Sequence, residues 1–164
     1  MSLPQDQGAV PELLPGTAEV LQAATRMLAG VALRSLDRLD QTVTLPQFRL
    51  LAVIADQGPV PSGQAARTLG LDPSTITRLA DRMVAAGHVT RGTDPRHRGV
   101  VTLALTDSGR DLVAAADTWR RRELAQLMAR LTPAEQAAVT AALGLLVRAA
   151  GHDYGLTARR PVPL

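Results

Sequence analysis

The residues best suited to chemistry lie in two short stretches. The first is a polar stripe of hydroxyls and arginines: Ser74, Thr75, Thr77, Arg78, Asp81 and Arg82. Short hydroxyls near a helix N-terminus can bind phosphate oxygens, because free amides and the helix dipole already favour anions there. An arginine one turn later has the reach and the forked donors to engage O6 and N7 of guanine in the major groove. The second stretch is Arg91-Gly92-Thr93-Asp94-Pro95-Arg96-His97-Arg98-Gly99, with three arginines against one aspartate. A basic loop of this kind suits a narrow minor groove, where the negative potential is focused. Asp94 can pair with an arginine and shape the loop. A solvated helix face beside a solvated turn is the plain alternative for each stretch taken alone.

These residues need elements to hold them. Ile76, Leu79, Ala80 and Met83 follow i, i+3, i+4, i+7 spacing and give the polar stripe an apolar back. Asp72-Pro73 opens this helix, with Asp as N-cap and Pro at the first helical position, and Gly87 closes it, so the reading helix covers 72–87. A shorter helix precedes it, capped by Ser62 and carrying Gln64, Ala65, Ala66 and Leu69 to Gly70. Two short helices meeting at a tight turn need a small residue at the crossing, which Ala66 supplies. They also need a residue tolerant of positive φ at the turn, which Gly70 supplies. Val89-Thr90-Arg91 and Val100–Leu105 read as strands flanking the basic loop, making 91–99 a hairpin tip. Ser62, Gln64, Ser74, Thr75, Thr77, Arg78, Arg82, Asp94, Arg96, His97 and Arg98 are the candidate DNA-contacting residues.

Long helices flank this unit. Val20, Ala24, Met27, Leu28, Val31 and Ala32 give helical spacing from Thr17 to about Thr42. Thr44-Leu45-Pro46-Gln47 reads as a capping box opening a helix that stops at Gly58-Pro59. Thr106 caps a long helix through Trp119 to about Arg130. Thr132-Pro133-Ala134-Glu135 is a second capping box, opening a last helix that ends near Gly151. The first helix and the last two are too long and apolar to decorate a small lobe, so they predict a dimer. The fold class is mainly α with a small β-hairpin wing. Residues 1–16 and 152–164 carry prolines and glycines and read as tails around one domain, 17–151. Within it, 44–105 form the winged helix-turn-helix lobe, and 17–43 with 106–151 form the dimerisation helices.

Composition narrows the function classes. The chain has 164 residues, 46% of them hydrophobic, and a net charge of +3, so the placement of charge matters more than its sum. All 18 basic residues are arginine, for which biased codon usage is the plain explanation. The absence of cysteine removes disulfides, thiolate metal sites and thiol redox sensing, and fits a reducing cytoplasm. The start lacks a secretory signal, and no apolar run approaches the ~18 residues of a membrane span. The three histidines, His88, His97 and His152, form no metal-ligand cluster, and no catalytic motif appears, so neither metal, cofactor nor enzyme activity is expected. His97 reads as a wing contact and His88 as a packed or surface residue. Arg120-Arg121-Arg122 reads as a solvated face, or as a contact to DNA or across a dimer.

The ordered set Leu45-Pro46-Gln47-Phe48-Arg49-Leu50-Leu51, Gly70 to Leu79, Gly87-His88-Val89-Thr90-Arg91, Asp94 to Gly99 and Leu105-Thr106-Asp107-Ser108-Gly109 resembles the MarR/SlyA family of transcriptional regulators, over roughly 17–151. The resemblance implies a homodimer built on the first and last two helices, with two winged lobes on a pseudo-palindromic operator. It also implies, in many members, a small-molecule pocket between the dimer helices and the lobe, and a repressor is the expected role. Met27, Val31 and Trp119 are the candidates to line such a pocket, with core packing as their competing role. The wing departs from the family pattern: the places of its usual Asp-x-Arg fall on His97 and Gly99, leaving Arg96 and Arg98 to supply the charge. A winged lobe used only for protein contacts is the alternative function; exposed apolar residues on the reading helix would favour it.

Overall fold

The computed structural model describes residues 13–39, 43–94, 97 and 99–151. The lobe is built around α2 (Leu45–Gln57), a helix apolar on nearly every face. Phe48, Leu50, Leu51, Val53 and Ile54 are all buried. A helix buried all round needs partners on several sides. It finds them in α3 (Ser62–Leu69), α4 (Pro73–Ala85) and the long α5 (Asp107–Met128). The capping expected at its start is present: the Thr44 amide donates to Gln47 Oε1 at 2.7 Å. The helix stops at Gly58, which has φ 76°.

The sheet has three strands rather than a bare hairpin. β1 (Val60–Pro61) pairs antiparallel with β3 (Val101–Leu105), which pairs in turn with β2 (Val89–Thr93), giving the order β1-β3-β2. Two residues are too few to show alternation, and a strand written Val-Pro between prolines and glycines looks like a break in sequence. This strand also corrects the expected role of Ser62. The residue before α3 is Pro61, held in the strand opposite Thr102, and Ser62 is the first helical residue rather than the cap.

α1 (Thr17–Asp37) stops short of the expected Thr42, closing with a tight turn in which Leu39 N donates to Leu36 O at 3.0 Å; residues 40–42 lie outside the described residues. α6 (Pro133–Ala150) begins with the expected capping box, Thr132 N donating to Glu135 Oε2 at 2.8 Å. These bonds to the ionised form hold the Glu135 carboxyl below its usual pKa. Gln136 Nε2 then donates to the carbonyls of Met128 and Leu131, tying α6 to the end of α5. No residue of α6 is buried within the single chain, and α1 buries only Val31 and Ser35.

α5 joins the lobe to these outer helices, and its first turn is seated by backbone contact. Thr106 Oγ1 donates to Gly87 O at 2.7 Å, and Thr106 N donates to His88 O at 3.1 Å. The same hydroxyl accepts from Gly109 N, as the sequence expects of a cap. His88 Nδ1 lies 3.0 Å from Ser108 Oγ. Gly109 sits so close to the preceding turn that an added Cβ would lie 2.1 Å from His88 O. Only glycine allows that approach. Gly109→Ala must therefore push α5 away from the end of α4, at a cost of about 1–3 kcal/mol. Urea unfolding should show a lower midpoint with native helix content retained; an unchanged midpoint would mean that the joint gives way freely.

Candidate nucleic-acid interface

α3 and α4 form the helix-turn-helix. Gly70 takes φ 64° at the turn, and Leu71 N donates back to Ala66 O at 3.0 Å, so the chain reverses within two residues. Ala65 and Ala66 are buried in the core of the lobe. α4 buries Ile76, Leu79, Ala80 and Met83, the four expected to face inward. Asp72 occupies the cap position in extended conformation, but its carbonyl rather than its side chain bonds the first turn: Thr75 N and Ile76 N donate to Asp72 O.

The polar face of α4 divides into two rows. Ser74, Arg78 and Arg82 lie one turn apart and are exposed. Among the described residues, neither Arg78 nor Arg82 has an ion-pair or hydrogen-bond partner, so both guanidinium groups keep all their donors available. The second row is already engaged. Thr77 Oγ1 donates to Pro73 O at 2.9 Å. Asp81 pairs with Arg91 of β2 at 2.8 Å, and Arg91 also donates to Thr77 O at 3.3 Å. Arg91 therefore does not add to the wing's free positive charge, contrary to the sequence count of three arginines. Thr75 and Ser62 are half-buried, and Gln64 is exposed. Gln64 Nε2 donates to Gln57 Oε1 at 2.9 Å, so α2 orients that amide.

The hairpin tip is closed by its backbone. Asp94 N donates to Val100 O, His97 N to Asp94 O, and Val100 N to His97 O. Asp94 is half-buried and His97 exposed. Arg96 and Arg98 lie outside the described residues.

A cavity of about 960 Å³ opens between the outer helices and the lobe. Leu28 and Ala32 of α1, Ile54 of α2, Leu105 of β3, and Val113 and Leu124 of α5 give it apolar walls, while Asp56, Asp117, Arg110, Arg120 and Arg121 add charge. None of Met27, Val31 and Trp119 lines it. Met27 is exposed, Val31 is buried in packing, and Trp119 is half-buried elsewhere. Each candidate has a neighbour in the wall, namely Leu28, Ala32 and Arg120. One step along a helix turns a side chain through about 100°, so these three residues sit on helices that border the cavity but on other faces of them.

Of the run 120–122, Arg121 and Arg122 are exposed, but Arg120 does not belong to a solvated face. Its Nε donates to Ser35 Oγ on α1 at 2.8 Å, and its Nη1 lies 3.6 Å from Asp117. The guanidinium carbon stands 4.9 Å from the centre of the Phe48 ring on α2. Burial pushes the guanidinium below its usual pKa and Asp117 opposes the shift. The buried Nη2 has no hydrogen-bond partner among the described residues. No sequence spacing announces this residue: its partners Ser35 and Phe48 are remote in the chain and meet only in the fold.

Among the described residues, no group of three or more His, Cys, Asp or Glu is placed to hold a metal ion, and no helix is long and apolar enough to cross a membrane.

Comparison with known proteins places this geometry. The sequence profile of the MarR family matches residues 41–98, which contain α2, both helices of the helix-turn-helix and β2. The structure of RV1404 from Mycobacterium tuberculosis superposes with a TM-score of 0.79 at 32% identity, covering 88% of this chain and 99% of that one. The HTH-type transcriptional repressor MdtR of Bacillus subtilis is 27% identical over 133 residues, 81% of this chain and 84% of that protein. The HTH-type transcriptional regulator TtmR of Methylorubrum extorquens is 35% identical over 88 residues, 54% of this chain; this chain spans only 45% of TtmR. With its winged helix-turn-helix, the hairpin beside it and the helices that flank the lobe, the chain belongs to the MarR family of transcriptional regulators, which are not enzymes.

Proposed function

We propose that the chain works as a homodimeric repressor that binds a pseudo-palindromic operator through α4 and the wing, and that a small molecule in the interhelical cavity relieves binding. The observation that carries the DNA reading is the exposed, unpartnered row Ser74, Arg78 and Arg82 on a helix whose other face is fixed in the core. A lobe made for protein contacts would present apolar residues there. Apart from Val84 near its end, the exposed large side chains of α4 are polar.

Dimerisation is supported by what the single chain leaves uncovered. Val20, Leu21, Met27 and Leu33 of α1, with Leu143, Leu145, Leu146 and Val147 of α6, are all exposed. Helices carrying that much open apolar surface need a partner, and a second copy covers both sets by symmetry. On this reading residues 17–151 form the working unit, with 1–16 and 152–164 as tails. The repressor sense is that of the relative MdtR. Effector relief is supported by the cavity, which touches α1, α2, β3 and α5 and so adjoins both the outer helices and the lobe.

Three measurements test this reading. Sedimentation at micromolar concentration should give a dimer; a stable monomer would overturn that part. Affinity for the best duplex selected from a random pool should fall steeply with salt, as phosphate neutralisation requires, whereas absent or salt-independent binding would overturn the DNA reading. Arg78→Ala should cost about 1–3 kcal/mol against that duplex and relax preference at one base pair. Equal weakening on all sequences would instead make Arg78 a phosphate contact.

A further inference from the structure

We infer that the Arg91–Asp81 pair is a positioning device for DNA discrimination: it locks the wing to the reading helix and keeps Arg91 off the phosphates. This inference rests on α4 and the wing being the DNA interface. Arg91 is the third residue of β2 and stands opposite Leu103 in the register. Leu103 is fully buried and Val89, two residues before Arg91, nearly so, which fixes the strand beneath it. From that base the guanidinium reaches across to α4 and holds two points one turn apart, the Asp81 carboxylate and the Thr77 carbonyl. Both contacts come from one nitrogen, Nη2, so a single point of the Arg91 side chain is held to two acceptors of one helix, which restrains the distance between strand and helix.

The pair's exposure shows what it is not for. The two side chains keep 39% and 56% of their accessible surface, and an ion pair that open contributes little to stability. Its location offers a better account. Asp81 follows Arg78 on the exposed side of α4, where a bare carboxylate would face the phosphates and repel them. Arg91 cancels that charge. Conversely, Arg91 without Asp81 would be a loose cation beside the DNA, able to hold any phosphate and so to add affinity without sequence preference. The pair thus leaves Arg78 and Arg82 as the free charges of α4 and fixes the wing's angle to them.

The test uses the full chain, the duplex selected by the wild-type protein, and a scrambled duplex of equal length, across a salt series. Asp81→Asn should free Arg91, so that scrambled-duplex affinity rises several-fold and the salt slope steepens by about one unit. The ratio of selected to scrambled affinity should fall about tenfold. Arg91→Gln should lower affinity for both duplexes, because Asp81 then stands uncovered. The double variant should return scrambled-duplex affinity toward the wild-type value while its discrimination stays low, since charge is rebalanced but the grip is gone. If the wild-type protein binds neither duplex, the DNA reading itself fails. If it discriminates and Asp81→Asn keeps both its slope and its ratio, the lock is refuted. A melting temperature lowered by more than about 5 °C in Asp81→Asn would assign the pair to stability and also refute it.

Discussion

The structure depends first on how α4 is seated. Burying Ile76, Leu79 and Met83 is worth about 1.5–3 kcal/mol for each side chain, and Ala80 lets the helix approach closely. Turning α4 by one residue would expose part of that set and drive Arg78 toward the core, where an unpaired guanidinium is costly. No surface ion pair, at about 0–1 kcal/mol, could compensate. The apolar side therefore decides the orientation, and the row Ser74, Arg78, Arg82 faces outward as a consequence. The Arg91–Asp81 contact then refines the relation between helix and wing without having to create it.

The same division of labour runs through the rest of the molecule. α2 is the hub of the lobe and touches the candidate interface through Gln57, which orients Gln64. α5 carries the lobe's position to the outer helices. At its start, Gly109 and Thr106 clasp the turn that follows α4. Further along, Arg120 holds α1 through Ser35 and stacks over Phe48 of α2. The cavity lies between these two attachments. An occupant that moved α5 relative to α2 would act on the end of α4 through the Thr106–Gly87 and Gly109–His88 contacts, which gives the proposed effector relief a physical route.

Much of this was legible in the residues, because the signals were local. Capping boxes at Thr44 and Thr132, the cap at Thr106, the positive-φ turn at Gly70 and the apolar period of α4 all depend on neighbours within a few positions, and all appear as read. What failed to show depends on remote partners. β1 has two residues and exists only because β3 lies beside it. Arg91 looked like wing charge until α4 placed Asp81 within 2.8 Å. Arg120 looked solvated until α1 and α2 closed over it. The cavity is lined by neighbours of Met27, Val31 and Trp119 rather than by those residues, since apolar spacing gives a helix a buried side but does not say which edge of that side borders a void.

On the proposed function, two copies of α4, held by their outer helices, read two grooves on one face of a duplex. A hydroxyl-radical footprint on the selected duplex tests it most directly. The expected footprint is two protected patches related by two-fold symmetry, their major-groove centres one helical turn apart, about 34–36 Å, each with a flanking minor-groove protection from the wing. A single protected patch, or two patches without that spacing, would contradict it.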